Sequence, residues 1–343
     1  MSDPLLRAAT EADDAGMRAV IAAAFPDNPK RRPEITAWQY WANPFGRTVA
    51  QVWEDDGEIV ATYTAFPMPA LLGGRPTLVG NGVDAAVAPS HQGRRLMTPM
   101  SAALYASAAE ADMAVTLCFI NNPLAIRGTT RAGWLQVGRL TVWVLAVDDD
   151  FLGHKAHLPA AVAGIGRRAV WRLGQGPVAD ETADPPAGLT QLWADAGGVG
   201  TGVVRDQAWW QWRYGDHPDR PYRYFEVRRN QTLVGAAVAT EREAFGATFV
   251  YLLELVAADA AAAKAIARAA AAHARSVGAA GVALMGLPDT RLAARAHDAG
   301  FRRVPTRMDP KPTSFGAVPN DGTTWAHLAS LPWSVSWGDL DHL

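Results

Sequence analysis

The two halves of the chain match each other in sequence. Trp38, Pro44 and Val60 each recur 174 positions later, and the tripeptide Ala-Gly-Trp at 132–134 is answered by Ala-Gly-Phe at 299–301. Self-similarity at a long, regular offset indicates a repeated structural unit. A length of 343 residues also fits two domains of ordinary size better than one core. We therefore predict two similar α/β halves in tandem.

Hydrophobic periodicity predicts the element order of the first half. Residues 5–147 alternate between strand and helix patterns in the order β-α-α-β-β-β-α-β-α-β. Asp56-Gly57 between two strand patterns indicates a hairpin. The continuous apolar run at 113–120 is typical of a strand buried on both faces, and residues 140–147 are predicted as the last strand of this half. These elements predict mixed α/β sheets.

Residues 83–100 join a strand to a helix through a basic loop. Alternation around Val83 predicts the strand, Pro89 ends it, and apolar residues recur at helical spacing from Arg95 onward. A loop before a helix N-terminus exposes unpaired N–H groups that bind phosphate, and Arg94 and Arg95 add charged donors. An ordinary strand-to-helix connection with solvated arginines explains this loop equally well.

The second half runs from strand to Ala-rich helix at VAADAAAAKAIARAA without such a loop. Between the halves, a basic amphipathic stretch is followed by a segment rich in Pro, Gly and acidic residues, which indicates a linker. We predict an N-terminal domain over 1–150, a connecting helix and linker over 151–188, and a C-terminal domain over 189–343.

The order Val-x-Pro-x-His-Gln-x-x-x-Leu at 87–96, within this element order, resembles the acyl-CoA pyrophosphate loop of the GNAT-type N-acetyltransferases. The Trp-x-Trp-Arg-Tyr…His-Pro stretch at 210–218 and the ending Trp-Gly-Asp-x-Asp at 337–341 resemble tandem GNAT proteins, both Eis-like and linked to polysaccharide and amino-sugar metabolism. Arg95 and Met97 depart from the family pattern, which has small residues there. Thr129 stands where the family carries a tyrosine as general acid.

The resemblance implies two tandem GNAT-like domains, the second without a pyrophosphate loop, and acetyl-CoA or another short acyl-CoA as co-substrate. It assigns the following residues to the co-substrate: Ala86, Val87, Ala88, Gln92, Gly93, Arg94, Arg95, Leu96, Asn121 and Asn122. The candidates for the base or the ammonium anchor are Asp84, Asp339 and Asp341. Water, Tyr63 or Tyr105 would replace the missing tyrosine.

Each candidate also has a plain structural interpretation. Asp84 fits an outward-facing strand residue, Asn121 or Asn122 fits a helix cap, and the ending fits a solvated tail whose tryptophans pack as a clasp. If the C-terminal segment is functional, we expect Asp339 or Asp341 to face the strand that bears Asp84, and Trp337 to line the acceptor pocket. Deleting residues 337–343 would then abolish turnover and leave CoA binding largely intact.

The composition of the chain limits the classes of partner that it is expected to bind. The 32 basic and 34 acidic residues give no basic field for nucleic acid. The single cysteine, Cys118, cannot form an internal disulfide and fits a buried strand. His154 and His157 have no Cys or carboxylate cluster at metal-ligand spacing, so we expect no metal. The sequence shows no signal peptide and no long apolar run, which predicts a cytoplasmic protein that does not enter a membrane.

These features together predict an N-acyltransferase that acts on a primary amine of a small molecule, such as an amino sugar, an amino acid derivative or an antibiotic. A transferase of the Fem type, which uses aminoacyl-tRNA, would need a basic surface that a net charge of −2 does not supply. A non-catalytic protein that binds acyl-CoA is favoured by the departures at Arg95, Met97 and Thr129. The oligomeric state is left open.

Overall fold

The computed structural model describes residues 4–26, 28, 30, 32–147, 176–196, 200–219, 221–244, 246–306, 309, 312–321 and 327–340. The strands are β1 Leu5–Ala8, β2 Val49–Asp55, β3 Glu58–Leu72, β4 Arg75–Val87, β5 Met113–Ile120, β6 Leu135–Arg139, β7 Thr141–Ala146, β8 Asp180–Thr182, β9 Thr201–Val203, β10 Arg223–Arg229, β11 Thr232–Ala244, β12 Ala247–Ala257, β13 Gly281–Gly286, β14 Arg302–Arg303, β15 Ser314–Pro319 and β16 Trp333–Ser334. The α-helices are α1 Asp14–Ala24, α2 Pro33–Thr36, α3 Met97–Glu110, α4 Pro123–Arg131, α5 Leu189–Asp195, α6 Gln207–Trp210, α7 Ala260–Ser276 and α8 Arg291–Asp298.

The described strands form two mixed sheets of the same design. The first runs β1-β2-β3-β4-β5-β15-β6, with β9 and β16 attached beside β3, and the second runs β8-β10-β11-β12-β13-β7-β14. In each sheet the pair that flanks the long central helix is parallel, β4 with β5 and β12 with β13. The fold class predicted from the sequence, two mixed α/β sheets in tandem, is confirmed.

Strands of each half belong to the sheet of the other half, β7 in one direction and β9, β15 and β16 in the other. Strand β7 pairs with β13 in the second sheet, and β15 pairs with β5 and β6 in the first. The strand predicted at residues 140–147 is present as β7, but it belongs to the second sheet. Sheet membership does not follow the predicted boundaries at 150 and 189, because the exchanged strands cross them in both directions. Part of the predicted linker is also a strand, since β8 pairs with β10.

The repeated tryptophans meet where the two halves pack together. Trp38 and Trp212 lie in matching π-helical turns, 37–41 and 211–215, and their rings stack with centroids 5.2 Å apart. The indole N–H of Trp38 also donates to the main-chain oxygen of Trp212 at 3.1 Å. The predicted helix around Trp38 is thus the short α2 followed by this turn. One apolar core continues from the first sheet through these rings into the second, so the two halves share an interior.

Candidate active site

The parallel strands β4 and β5 pair only at their beginnings. Their register runs from Leu78 beside Met113 to Asn81 beside Leu117, and it stops there. The gap between residues 82–87 of β4 and 118–120 of β5 is called the notch below. Ala85 is exposed in the notch although β4 lies in the middle of the sheet. A central strand therefore presents backbone to a ligand at this point.

A bulge in β4 shapes the wall of the notch. Val83 pairs with Thr64 and Ala86 with Thr62, so Asp84 and Ala85 both stand opposite Tyr63. Asp84 has a left-handed backbone, with φ of 53°. The extra residue of a bulge leaves the hydrogen-bonded ladder. The matching pair in the second half, β11 and β12, also has an irregular register, because Val238 pairs with Glu254 and Ala239 with Leu252, which leaves Leu253 of β12 without a partner in the ladder.

Hydrogen bonding decides which backbone N–H groups face the notch. Ala88 N–H donates to Val60 O at 2.8 Å. Because hydrogen-bonded and non-bonded pairs alternate in an antiparallel ladder, Ala86 bonds to Thr62 and the N–H of Val87 points away from β3. Of the three predicted pantetheine contacts at residues 86–88, only Val87 offers its N–H to the notch. The N–H groups of Ala86 and Ala88 are used within the sheet.

The loop from Gln92 to Leu96 leads from the notch to the N-terminus of α3. Gly93 and Arg95 both adopt left-handed backbone conformations, with φ of 80° and 61°, and residues 92–95 are exposed. A glycine adopts this conformation without strain and an arginine does not. The left-handed backbone at position 95 therefore favours the small residue that the family carries there. No side chain caps α3, and the loop N–H groups have no acceptor among the described residues. The arrangement suits a phosphate.

The described part of the second half has no equivalent anion site. Helix α7 begins at Ala260, directly after β12 ends at Ala257. Asp259 caps it by accepting the N–H of Ala262 at 2.9 Å, and it pairs with Arg229. These hydrogen bonds, that of Arg229 first, hold the pKa of Asp259 far below its usual range. A carboxylate at this helix N-terminus repels a phosphate, which agrees with the predicted loss of the loop.

Asp84 is paired inside the protein. Its carboxylate lies 2.9 Å from the Lys30 ammonium and accepts hydrogen bonds from the Tyr40 hydroxyl and, at 3.3 Å, from Asn28. The side chains of Lys30 and Asp84 are each 2% exposed. A carboxylate held in this way is not exposed to solvent, and it contacts an incoming amine only if Lys30 is displaced. The interpretation of Asp84 as an outward-facing strand residue is therefore wrong, and its role as base or ammonium anchor stays a prediction.

Asn121 and Asn122 follow β5 at the rim of the notch and are exposed. Thr129 lies one helix further on, and its hydroxyl donates to Ala125 O at 2.5 Å. The hydroxyl is bonded within its own helix. It offers no replacement for the missing tyrosine.

A buried cluster of Tyr63, Tyr105 and Cys118 forms the floor of the notch. The Tyr63 hydroxyl lies 3.5 Å from that of Tyr105 and 3.6 Å from the Cys118 sulfur. A side chain at Gly82 would come within 2.9 Å of the same hydroxyl. Burial, with added repulsion from Cys118 and Tyr105, raises the pKa of Tyr63 well above its usual value. Burial also raises the pKa of Cys118 to about 11, so these groups stay protonated near neutral pH.

The C-terminal segment 333–340 is packed between the two sheets. The Asp339 carboxylate accepts from Arg205 at 2.6 Å and from the N–H of Ser336 at 2.9 Å. Its main-chain oxygen accepts from the Asn81 side chain at 2.8 Å, three residues before Asp84 on the same strand. Trp337 stacks on Tyr251 in the second sheet with centroids 4.1 Å apart. The segment is buried rather than solvated, and Asp341 lies outside the described residues.

This segment fills the counterpart of the notch in the second half. Ser336 forms a bridge to Gly286 at the end of β13, and its hydroxyl donates to Glu254 on β12 at 2.8 Å. Arg205 bonds to Glu254 at 3.2 Å as well as to Asp339. Sequence reasoning missed Arg205, Glu254 and Asn81, since none stands in a motif. The burial of this segment is indicated in the sequence by apolar residues at alternate positions, Trp333, Val335 and Trp337.

A separate cavity of about 770 Å³ lies in the second half, beside β8, β11 and the end of α7. Its charged side chains pair with one another, Arg223 with Glu181 at 2.6 Å and His273 with Glu241 at 2.9 Å. No notch residue lines it. We therefore place the candidate site at the notch, where backbone geometry and the anion loop meet.

The described residues hold no group of three or more His, Cys, Asp or Glu side chains that could bind a metal ion, and His154 and His157 lie outside them. In the same part of the chain, the helices are too short or too polar to cross a bilayer.

Comparison with known proteins agrees with this geometry. Residues 6–136 match the sequence model of the family described as acetyltransferase (GNAT) domain. No curated protein matches the sequence. The chain is similar in structure to a conserved protein of unknown function from Enterococcus faecalis V583, described as a probable N-acyltransferase, with a TM-score of 0.66 and 13% identity over 93% of this chain and 73% of that one.

Two GCN5-related N-acetyltransferases are also similar in structure. The one from Anabaena variabilis ATCC 29413 has a TM-score of 0.64 and 11% identity over 92% of this chain and 73% of that one. The one from Kribbella flavida has a TM-score of 0.60 and 16% identity over 92% and 70%. At such identities these likenesses show a shared fold. The match to the family rests on residues 6–136.

Proposed function

We propose, from the premise that residues 6–136 form an acetyltransferase (GNAT) domain, that this chain transfers a short acyl group from an acyl-CoA to a primary amine of a small molecule. The observation that carries the proposal is the notch, which opens onto the uncapped N-terminus of α3. We expect acetyl-CoA rather than a longer acyl-CoA, because the Tyr63 hydroxyl lies beside Gly82 and limits the space in the notch beneath the acyl group.

The described backbone supplies binding along the length of an acyl-CoA. The N–H groups of Gly93 to Met97 and the side chains of Arg94 and Arg95 would hold the pyrophosphate. The N–H of Val87 would meet an amide of the pantetheine arm, and the bulge at Asp84 and Ala85 would donate to the thioester oxygen, where negative charge develops during attack. Asn121 and Asn122 border the same path.

The chemistry requires two protons to leave an ammonium acceptor and one proton to reach the leaving group. The deprotonated amine nitrogen forms the new bond to the acyl carbon, it loses its second proton as the carbon–sulfur bond breaks, and the thiolate takes up one proton by way of water. Tyr63 stays protonated and can donate a hydrogen bond but cannot accept the proton of the ammonium. Asp84, Asp339 and Asp341 are the candidates for that step, although Asp84 is paired with Lys30 and Asp339 with Arg205.

The loop geometry is compatible with acyl-CoA binding despite the departure at Arg95. Arg95 has a left-handed backbone, and its side chain is exposed, so it leaves the notch open. For the aminoacyl-tRNA alternative, we find no supporting feature among the described residues.

Titration calorimetry of the full chain with acetyl-CoA tests the proposal. We expect one site per chain, because Asp259 occupies the helix N-terminus that a second site would need. Release of free thiol from acetyl-CoA should then depend on an added primary amine. Two equivalent sites, or no binding at all, would contradict the proposal.

Replacing Arg94 by Ala together with Arg95 by Gly should weaken acetyl-CoA binding. Each charge-assisted contact to phosphate contributes about 1.5–3 kcal/mol, so a loss of at least about tenfold in affinity is expected. Glycine is chosen at 95 because it keeps the left-handed backbone without strain. The control is Arg275→Ala, an exposed arginine at the end of α7. An unchanged dissociation constant in the double variant would place the pyrophosphate elsewhere.

A further inference from the structure

The carboxylate of Asp84 belongs to a buried trio of side chains. It pairs with the ammonium of Lys30 and accepts the hydroxyl hydrogen of Tyr40, and the ammonium itself donates to that hydroxyl oxygen at 3.2 Å. All three residues are buried. Lys30 precedes α2, and Tyr40 lies in the π-helical turn that follows it. One short stretch of chain therefore supplies both partners that hold this carboxylate of β4.

The second half contains a trio of the same kind. Tyr214 follows Tyr40 by 174 positions and lies in the matching π-helical turn. Its hydroxyl donates to Glu254 at 3.1 Å. Arg205, which precedes α6 as the lysine precedes α2, donates to the same carboxylate at 3.2 Å. These three residues are also buried. A tyrosine, a cation and a strand carboxylate thus meet in each half.

The strand pairing shows that the two carboxylates stand at equivalent places. Asn81 of β4 and Tyr251 of β12 pair with residues of β3 and β11 that are 174 positions apart. Asp84 lies three residues after Asn81, and Glu254 lies three residues after Tyr251. Beside each carboxylate the strand has one residue more than its partner strand. The bulge and the carboxylate trio therefore occur together in both halves.

The second trio stands where no acyl-CoA is expected. Asp259 caps the helix that follows β12, and the C-terminal segment 333–340 fills the counterpart of the notch, with the Ser336 hydroxyl on Glu254. The anion loop and the open notch are found only in the first half, so they serve the ligand. The trio is shared by both halves, so its task concerns the shape of the strand rather than the chemistry of acyl transfer.

The backbone of Asp84 shows what this task is in the first half. Its φ of 53° is left-handed, a conformation that costs free energy for any residue except glycine. An extended backbone at this position would turn the carboxylate away from its donors, because side-chain direction in a strand follows the backbone. The ion pair with Lys30 therefore opposes relaxation of the bulge. Ala85, the next residue, is exposed in the notch, so the shape of the bulge decides what the notch presents to a ligand.

We infer that Lys30, Tyr40 and Asp84 act together to hold the β4 bulge in the shape that points its N–H groups into the notch. Asp84 is then a positioning residue and not the base of the reaction, and Lys30 and Tyr40 are positioning residues with it. The inference rests on the proposed function, because the bulge acts on the reaction through the thioester oxygen. It leaves proton removal to another group.

Two double variants separate positioning from proton transfer. Lys30→Met is combined with Asp84→Gly in one and with Asp84→Ala in the other, so that neither variant keeps a buried charge without its partner. Both variants lack the carboxylate, but only glycine adopts a left-handed backbone without strain. We expect kcat of the glycine variant to be at least about tenfold above that of the alanine variant, since a left-handed alanine costs about that factor.

The measurement is thiol release from acetyl-CoA with an added primary amine, at several pH values and below the melting temperature of either variant. The pH profile of the glycine variant should keep the wild-type shape, because no titrating group of the reaction is lost. Equal kcat values in the two variants would overturn the inference. If both are negligible, the carboxylate takes part in the chemistry, and if both match the wild type, the bulge needs no support.

A matched pair of single variants uses the duplication of the trio. Tyr40→Phe removes a hydroxyl from Asp84, and Tyr214→Phe removes one from Glu254. Both should lower the melting temperature, but only Tyr40→Phe should lower kcat. An equal loss of kcat in both variants would trace it to general destabilisation and contradict the inference. A wild-type chain that binds no acetyl-CoA would contradict the proposed function itself, whereas an active chain without these differences between variants contradicts the inference alone.

Discussion

Deletion of residues 337–343 is expected to unfold the protein, and not merely to abolish turnover. The deletion removes Trp337 and Leu340, which are buried, and each contributes about 1.5–3 kcal/mol through burial. It also removes Asp339 from Arg205, and the main-chain oxygens of Gly338 and Leu340 from Arg213. Two buried guanidinium groups would lose acceptors, and the sum approaches the whole stability of a typical domain.

Thermal unfolding followed by circular dichroism measures this effect. We expect the truncated chain to be insoluble or to melt more than about 10 °C below the full chain. The outcome differs from the one predicted from the sequence, in which CoA binding survives the deletion. A truncated chain that melts normally and binds acetyl-CoA would show that the segment is a dispensable clasp.

A shorter truncation separates the two candidate aspartates. Removing residues 341–343 takes away Asp341 and leaves the described contacts of Asp339 in place. We expect the melting temperature and the turnover with a primary amine to be retained, because Asp339, the other candidate carboxylate of the C-terminal segment, stays in place. Loss of turnover at an unchanged melting temperature would assign the carboxylate role to Asp341 instead of Asp339.

Local sequence signals predicted the local structure well. Asp56-Gly57 forms the expected turn between β2 and β3, with positive φ at both residues, and the loop after Pro89 leads into a helix as expected. The exchange of β7 and β15 was not predictable in the same way. An apolar run shows that a strand is buried, but it does not show which of two similar sheets will cover it.

Long-range pairing explains what the sequence could not show at the site. The alternation around Val83 placed a carboxylate on the central strand, but nothing local linked Asp84 to Lys30, which comes from the segment before α2. Arg205 likewise forms an ion pair with Asp339, which lies more than a hundred residues later in the chain. Such partners are chosen by tertiary packing, and a single sequence carries no periodic signal for them.

Replacing Arg205 by methionine is expected to lower the free energy of unfolding by about 3–5 kcal/mol, because removing one partner of a buried ion pair leaves uncompensated charge. Burial would by itself lower the pKa of Arg205, but Asp339 and Glu254 outweigh it and hold that pKa above its usual value. Arg205 is therefore charged at all ordinary pH values. Chemical denaturation at neutral pH measures the loss.

The pH dependence of the Arg205→Met variant distinguishes lost charge compensation from lost packing. Burial, and then repulsion from Asp339, already raise the pKa of Glu254 although Arg205 opposes them. Without Arg205 that pKa rises further. A group whose pKa is raised by folding adds stability below its unfolded pKa and loses it as pH rises. The deficit of the variant should therefore shrink as pH falls from about 8 to about 5, above the usual range of a glutamate.

Two further variants complete the test. Arg205→Met combined with Glu254→Gln should recover part of the lost stability at neutral pH, since one uncompensated charge is removed with it. Arg229→Met, which breaks the exposed pair with Asp259, should have a small effect, as exposed ion pairs contribute little. A deficit in Arg205→Met that stays constant from about pH 8 to about pH 5 would trace the loss to packing and remove the electrostatic role assigned to this buried trio.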